Sequence, residues 1–216
     1  MSGRETFIVG DVHGCLEMVK RLIDKIEWNP STDRLIFIGD YIDRGENARG
    51  VVDFILELKE DSPLVACLIG NHEQMFLDYL SGVNTRGFIL NGGASTLKSY
   101  EEVRRSKDDP LIPSSHLDFF STLLPMIELE EYYVVHAGFR PNIRIEDQDL
   151  FDMIWIRDEF IYSDYDFGKV VIFGHTPLSN PVIMNNKIGI DTGAVYGNCL
   201  TCLELPEKRF YSVEPK

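Results

Sequence analysis

The 216-residue sequence has no long apolar run. A membrane-spanning helix needs about 20 consecutive, mainly apolar residues, and no stretch of this chain approaches that length. The opening residues, MSGRETFIVGD, also lack the basic and apolar regions of a secretory signal peptide. We therefore expect a soluble, cytoplasmic protein that binds no membrane. Because 44% of the residues are hydrophobic, the chain can bury a full core, and we expect one domain over residues 1–216.

Basic residues are also scarce. The chain has 21 Lys and Arg against 35 Asp and Glu, which gives a net charge of −14. Nucleic-acid binding depends on clustered basic side chains that contact phosphates, so we expect no nucleic-acid partner. Two readings of the acidic surplus apply together: it keeps the protein soluble, and some of the carboxylates are gathered around cations.

Cysteine is too rare for a disulfide scaffold, since the chain has only four, and they are scattered. Cys199 and Cys202 have the spacing of half a zinc site, but no second pair accompanies them. We expect reduced structural thiols. None of the four cysteines lies in a glycine-rich loop that could hold a phosphate, which argues against thiol-phosphate chemistry.

The most informative feature of the sequence is a repeated pattern at the ends of its predicted strands. Four apolar stretches run into a glycine followed by a polar residue that can bind metal: TFIVGDVHG (6–14), RLIFIGD (34–40), ACLIGNHE (66–73) and VIFGHTP (171–177). A fifth, YYVVHAG (132–138), places the histidine before the glycine. A strand that ends in this way presents a polar side chain at the edge of a sheet.

Hydrophobic periodicity predicts alternating strands and helices. The predicted strands are 5–10, 34–39, 64–69, 132–136 and 169–174, followed by short ones at 181–184, 187–190, 199–205 and 208–213. Helices are predicted at 15–26 and 48–60, and mostly helical structure at 71–125 with a loop at 104–115. Alternation of strand and helix is typical of α/β proteins with a largely parallel sheet.

The spacing of the polar residues agrees with such a sheet. Asp40 follows Asp11 by 29 residues, and Asn71 follows Asp40 by 31. A β-α-β unit takes about 30 residues or more, so these side chains should follow successive parallel strands. Ligands of open α/β sheets bind at the carboxyl ends of the strands. We therefore expect the polar residues to share one crevice.

Six residues in these endings have side chains that suit borderline divalent cations such as Mn²⁺, Fe²⁺ or Zn²⁺: Asp11, His13, Asp40, Asn71, His136 and His175. Any one of them alone could be a helix cap or a structural histidine. Together they are too many for one catalytic ion, which keeps a coordination position open. Two ions about 3.5–4 Å apart, with Asp40 between them, could hold a hydroxide for in-line phosphoryl displacement.

The motifs GDVHG (10–14), GDYIDRG (39–45) and GNHE (70–73) resemble those of the metal-dependent phosphoprotein phosphatases, which are calcineurin-like metallophosphoesterases. The likeness runs from residue 5 to 213 and is strongest to the short bacterial and phage branch. That branch includes the bacteriophage lambda serine/threonine protein phosphatase and symmetric diadenosine tetraphosphate hydrolases. The resemblance implies a metallophosphoesterase-type β-sandwich flanked by helices, with the active site at the carboxyl ends of the strands.

Carried over to this sequence, the resemblance implies a binuclear metal centre. Asp11 and His13 would bind the first ion, Asp40 would bridge, and Asn71, His136 and His175 would bind the second. We expect two divalent ions, with Mn²⁺ as the first expectation and Fe or Zn as alternatives.

The resemblance also implies four catalytic residues. Arg44 would bind phosphoryl oxygens through its guanidinium fork. His72 would be the general acid for the leaving group, oriented by Asp43. Arg157, in the context MIWIRDEF, would be a second phosphate-binding arginine. Its alternative reading is a surface arginine beside its acidic neighbours.

Two departures from the family pattern concern substrate contacts and leave the metal ligands in place. Ile69 stands where some phage-type enzymes have an arginine before GNHE. The segment VYGNCLT (195–201) lacks the second glycine and the basic residue that often follow. The first change removes one auxiliary phosphate contact of those enzymes, and the second is expected to alter substrate reach at the edge of the crevice.

Three functions remain open at this point. The first is a serine/threonine protein phosphatase acting on a phosphoprotein or a small phosphoester. The second is a symmetric dinucleoside tetraphosphate hydrolase. The third, a non-catalytic module that keeps the fold, should have lost metal or acid residues, and this chain retains them. The sequence does not fix the oligomeric state, nor whether the 104–115 loop is a lid.

Overall fold

A computed structural model describes residues 5–216 as two five-stranded sheets with helices on their outer faces. The strands are β1 (Thr6–Val9), β2 (Arg34–Phe37), β3 (Val65–Cys67), β4 (Met126–Glu128), β5 (Tyr132–Val135), β6 (Val170–Phe173), β7 (Val182–Ile183), β8 (Lys187–Gly189), β9 (Leu200–Leu205) and β10 (Arg209–Val213). Every predicted strand is present. The short β4 was not predicted.

The first sheet has the order β10-β9-β1-β2-β3, and β1, β2 and β3 run parallel. Side chains alternate across it as strand geometry requires. Phe7 and Val9 pack in the cluster that includes the flanking helices, whereas Ile8 packs in the cluster between the sheets. The parallel arrangement predicted from the spacing is therefore confirmed for these three strands.

The second sheet has the order β4-β5-β6-β8-β7, with β5, β6 and β8 parallel. Val134 and Ile172 pack against Ile8 and Ile36 of the first sheet in a shared apolar layer. The two sheets thus form the β-sandwich that the resemblance implied. Strand periodicity alone predicted the strands but did not divide them between two sheets.

The helices follow the predicted scheme, with additions. They are α1 (Leu16–Lys25), α2 (Ala48–Asp61), α3 (Asn71–Leu80), α4 (Thr85–Phe88), α5 (Ala94–Glu101), α6 (Ser114–Ser121), α7 (Leu150–Trp155) and α8 (Asp158–Ile161). A π-helical turn, Ile89–Gly93, joins α4 to α5. The helices α7 and α8 were not predicted, because six and four residues are too few to establish a helical period.

The predicted loop at 104–115 is present as an irregular connection between α5 and α6, although α6 begins at Ser114. Arg104 donates from Nε to the Asp109 carbonyl over 2.9 Å, so the loop carries internal hydrogen bonds. Among residues 5–216, no helix is long and apolar enough to cross a membrane.

Candidate metal centre

Loops from both sheets meet where the parallel strands end. Asp11, Asp40 and Asn71 follow β1, β2 and β3 of the first sheet, while His136 and His175 follow β5 and β6 of the second. The His175 N–H donates to the Asp11 carboxylate over 3.0 Å, a contact that crosses between the sheets. The predicted shared crevice is therefore present, and all six predicted metal ligands are buried in it.

Asp40 lies at the middle of this cluster. Its Oδ2 is 3.3 Å from His13 Nε2, and its Oδ1 is 3.5 Å from His136 Nε2. Two groups of side chains have ligand atoms close enough to hold a cation, and Asp40 belongs to both: His13, Asp40 and His72, and Asp40, His136 and His175. Asp40 lies beside three imidazole rings, those of His13, His72 and His136, so its carboxylate is the common neighbour of both groups.

The imidazole of His13 presents a lone pair to Asp40. Its Nδ1 is 2.8 Å from the Ile42 carbonyl, which can only accept, so Nδ1 carries the hydrogen. Its Nε2 is 2.6 Å from Arg44 Nη1, which can only donate. Nε2 is therefore an acceptor, and it faces a carboxylate oxygen, which is also an acceptor.

His136 repeats this arrangement on the other side of Asp40. Its Nδ1 is 2.9 Å from the Ile38 carbonyl, and burial lowers the pKa of the ring, so the neutral form presents a lone pair on Nε2. That lone pair faces Asp40 Oδ1 and also Asn71 Oδ1, which is 3.1 Å away. Several acceptors that converge without a proton between them suit a bound cation, so the donor set fits a divalent metal.

His175 completes the second group. Its Nε2 accepts a hydrogen bond from Arg157 Nε over 3.1 Å, so this ring also presents a lone pair. Burial, followed by the nearby His136, lowers the pKa of His175 to about 2. A neutral imidazole is the form that binds a metal.

Asp11 lies at the same edge but outside both groups of ligand atoms. Burial raises the pKa of Asp11 well above its usual range, and the carboxylates of Asp191 and Asp40 raise it further. Burial likewise raises the pKa of Asp191 to about 6. Buried carboxylates are costly unless they are paired or bind metal. That Asp11 and His13 bind one ion together remains a prediction.

His72 and Asp43 form a buried pair beside the cluster. His72 Nδ1 is 2.6 Å from Asp43 Oδ2, and the two side chains are 1% and 0% exposed. His72 Nε2 is the only buried side-chain nitrogen or oxygen in residues 5–216 that has no hydrogen-bond partner. It lies 4.0 Å from Asp40 Oδ2, so it faces the centre of the site. The expected orienting contact between Asp43 and His72 is present.

The two predicted arginines reach the cluster from different loops. Arg44 contacts His13, as described above, and Arg157 contacts His175. Arg157 is exposed, as its surface reading expected, but its Nε reaches His175, and Glu159 pairs with Arg140 at 2.8 Å. Both guanidinium groups therefore lie where they could bind an anionic group at the centre.

The loops that carry these side chains have unusual backbone conformations. Five predicted site residues have positive φ angles, which are uncommon outside glycine: His13, Asp40, Asp43, Arg44 and His175. Such conformations persist where the surroundings hold them in place, and they concentrate at functional sites.

Glu73 helps to hold these loops in place, although we assigned it no role from the sequence motif. Its carboxylate accepts from the backbone N–H groups of Asp40, Tyr41 and Gly70 at 2.8, 2.8 and 3.0 Å. Glu73 is the third residue of α3, and its bond to the Gly70 N–H is the half of a capping box that a glycine N-cap allows. The capping-box position of this glutamate in GNHE was the signal that could have identified it.

Two further residues beside the site were not identified from the sequence. Thr96, on α5, donates from Oγ1 to Asp43 Oδ1 over 2.6 Å. Tyr196, which is 61% exposed, has its ring 5.6 Å from the Arg44 guanidinium carbon. Neither stands beside a glycine-terminated strand, so the strand-end pattern could not point to them.

Comparison with known proteins agrees with this geometry. Residues 6–197 match the family of calcineurin-like phosphoesterases. The bis(5'-nucleosyl)-tetraphosphatase PrpE [asymmetrical] of Bacillus anthracis is 28% identical over 95% of this chain and 92% of its own length.

Two solved structures share the fold. The crystal structure of a candidate diadenosine tetraphosphatase has a TM-score of 0.76 at 21% identity and covers 99% of this chain and 94% of its own. A protein serine/threonine phosphatase from Saccharomyces cerevisiae has a TM-score of 0.72 at 15% identity, covering 99% of this chain and 80% of its own. At these identities the likeness concerns the fold alone.

Proposed function

Since the chain belongs to the calcineurin-like phosphoesterase family and is a hydrolase of that class, we propose that it cleaves dinucleoside tetraphosphates asymmetrically with the help of two divalent metal ions. The observation that carries the metal dependence is the position of Asp40. Its two carboxylate oxygens face the imidazole lone pairs of two different histidines, His13 and His136.

The proposed ligands divide into two sets that share Asp40. Asp11, His13 and Asp40 form one set, and Asp40, Asn71, His136 and His175 form the other. Two bound ions would supply a nucleophile that is deprotonated at neutral pH and would neutralise charge on the phosphoryl group. Mn²⁺ is our first expectation, and Fe or Zn suits the same ligands.

Arg44 and Arg157 would hold the phosphate chain. A guanidinium group donates two parallel hydrogen bonds to a phosphate, which fixes the orientation as well as the position of the reacting phosphorus. The two arginines contact different histidines of the cluster, one from each proposed set. They would therefore hold phosphoryl oxygens on both sides of Asp40.

His72 would donate a proton to the leaving oxygen from Nε2. Asp43 accepts from Nδ1 and so keeps the ring turned with Nε2 towards the centre. The absence of a protein partner for Nε2 within residues 5–216 leaves that atom available to a substrate.

Two observations support a dinucleoside tetraphosphate as the substrate. The relative from Bacillus anthracis, which matches nearly the full length of this chain, is named as an asymmetrical bis(5'-nucleosyl)-tetraphosphatase. In addition, Tyr196 places an exposed ring beside Arg44, and aromatic side chains are common stacking partners of nucleobases. The asymmetrical products replace the symmetric cleavage that the resemblance first suggested as an alternative.

A serine/threonine protein phosphatase is the second candidate, and the His72–Asp43 pair favours it. Serine leaves a phosphate ester as a strongly basic alkoxide, which needs a proton from a general acid. A nucleotide that leaves a tetraphosphate chain departs as a far less basic phosphate oxygen. A buried, oriented histidine therefore matters more for ester cleavage.

One experiment separates the candidates. Mn²⁺-loaded protein is given diadenosine tetraphosphate and a phosphoserine peptide together, and the products are resolved by chromatography. The proposal predicts ATP and AMP in equal amounts, since water adds across one terminal phosphoanhydride bond. Preferential release of inorganic phosphate from the peptide would favour the phosphatase, and ADP alone would mean symmetric cleavage.

A further inference from the structure

A cleft of about 490 Å³ lies between α3, the helix that begins with Asn71 and His72, and α7. Met75, Ile154 and Trp155 supply apolar lining, and Phe151 lies at its exposed side. The volume falls within the range of small-molecule sites, about 300–1,000 Å³. Gln74 and Met75, which line the cleft, follow His72 by two and three residues of α3, a rise of about 3–4.5 Å along the helix axis.

A row of aromatic rings connects this cleft to the metal centre. The Phe151 ring is 65% exposed and stacks on Trp155, with an interplanar angle of 27° and centroids 6.2 Å apart. The Trp155 ring in turn meets the His175 imidazole edge-on at 5.9 Å. The backbone of Phe151 is anchored because Asp149 caps α7 by accepting from the Phe151 N–H over 2.7 Å. The ring is exposed on one face, so that face is available for stacking.

The cleft is negatively charged, so it does not favour a phosphate group. Its only charged lining residues are Asp78 and Asp149, and no Lys or Arg lines it. Carboxylates repel phosphate but accept hydrogen bonds from exocyclic amino groups. The arginines lie instead at the metal centre. A ligand with an anionic chain and a neutral aromatic ring bearing amino groups matches both ends.

We propose that this cleft binds one nucleobase of the substrate, stacked on Phe151, while the phosphate chain extends to the metal centre; this rests on the proposed function above. The base sits at a fixed place relative to Asp40. A fixed base places the same phosphorus at the reaction centre in each turnover, which gives asymmetric products from a symmetric substrate.

The test is equilibrium binding, because it requires no turnover. Calorimetry measures the affinity of Mn²⁺-loaded protein for AMP and for ribose 5-phosphate, which lacks the base. Stacking of a base on an aromatic side chain predicts that AMP binds roughly 5- to 150-fold more tightly. In Phe151→Ala this preference disappears, and Phe151→Trp restores it. Tyr162→Ala, which removes another exposed ring (81% exposed), is the matched control and keeps the preference.

The outcomes separate this inference from the proposed function. Equal affinities for AMP and ribose 5-phosphate, or a preference that survives in Phe151→Ala, would overturn the base site even if diadenosine tetraphosphate is cleaved. A preference lost only in Phe151→Ala would support the site even if the protein leaves that substrate intact, in which case the proposed function fails alone.

A second inference rests on a different contact, the one between Thr96 and Asp43. The Thr96 hydroxyl accepts from the Asp43 N–H over 2.8 Å and donates to Asp43 Oδ1 over 2.6 Å. Because a hydroxyl has one proton, the direction of both bonds is fixed. The other oxygen of the same carboxylate meets His72. Thr96 is fully buried, so water does not replace these bonds.

We infer that Thr96 is a positioning residue for the proposed general acid, an inference that rests on the role given to His72. By holding one carboxylate oxygen, Thr96 fixes the plane of the Asp43 carboxylate. That plane determines where Oδ2 accepts from His72, and hence where His72 points Nε2. Asp43 and Thr96 lie 53 residues apart, so the fold alone brings them together.

The test compares two substrates that differ in their need for an acid. Thr96→Val keeps the shape but removes the hydroxyl, and Thr96→Ser keeps the hydroxyl. We expect Thr96→Val to lower kcat for phenyl phosphate roughly 10-fold more than kcat for p-nitrophenyl phosphate, whose leaving group is less basic, which is part of the 10²- to 10⁴-fold that general acid catalysis contributes. Thr96→Ser should restore the ratio. Any loss of folded protein cancels in the ratio, so an unchanged ratio in Thr96→Val would overturn the inference.

Discussion

His72 Nδ1 lies 2.6 Å from Asp43 Oδ2, with both side chains withdrawn from solvent. In this arrangement the far nitrogen of the ring faces Asp40 and has no partner in residues 5–216. A histidine anchored at one nitrogen and unpartnered at the other, beside the proposed metal ligands, is placed to donate a proton to a substrate, and that is the role we propose for it.

His72→Asn should lower turnover of an ester with a basic leaving group by roughly 10²- to 10⁴-fold, the usual scale of general acid catalysis. Metal content should stay intact, because the proposed ligands are elsewhere. Steady-state kinetics with phenyl phosphate and elemental analysis of the same sample check both statements. Unchanged turnover would mean that His72 is not the acid.

Asp40→Asn should reduce the occupancy of both metal sites at once, because Asp40 faces a histidine on each side. The matched comparison is His175→Asn, which removes a ligand from one set only and should keep one ion per chain. Elemental analysis after loading with Mn²⁺ and gel filtration measures both variants. Two ions per chain in Asp40→Asn would show that Asp40 does not bridge the two metal sites.

Arg44→Lys should lower kcat/KM by about 10- to 100-fold. Lysine keeps the positive charge but loses the fork that binds two oxygens, and a charge-assisted hydrogen bond contributes about 1.5–3 kcal/mol. Arg144→Lys, at a side chain that is 70% exposed, is the control and should change little. Equal kinetics in the two variants would exclude a phosphate-binding role for Arg44.

Glu73→Gln should lower the free energy of unfolding by on the order of 1–3 kcal/mol, because the amide group would turn a donor towards buried backbone donors. Glu57→Gln, on the exposed face of α2, provides the control. Urea unfolding of both variants measures the difference. If Glu73→Gln is as stable as the control, Glu73 does not hold the loops as described.

Local sequence patterns were sufficient for the strands and for most of the site. Each predicted ligand follows an apolar strand that the sequence marks by itself, and the spacing of Asp11, Asp40 and Asn71 matches the parallel strands that carry them. Short elements such as β4 and α8 escaped prediction. Three or four residues carry too little periodicity to distinguish them from a loop.

Contacts between distant segments could not be predicted in this way. Thr96 contacts Asp43 across 53 residues of sequence, and the Trp155 ring contacts the His175 imidazole across 20 residues. Nothing in the local sequence of Thr96 marks it as a partner of the Asp43 carboxylate. Such relationships depend on how α5 and α7 pack, which is decided by the whole core.

The most direct test of a metal centre built on Asp40 is anomalous diffraction from crystals grown with Mn²⁺. We predict two anomalous peaks, one on each side of the Asp40 carboxylate, with His13 beside one and His136 beside the other. Peaks elsewhere in the molecule, or none near Asp40, would contradict the account.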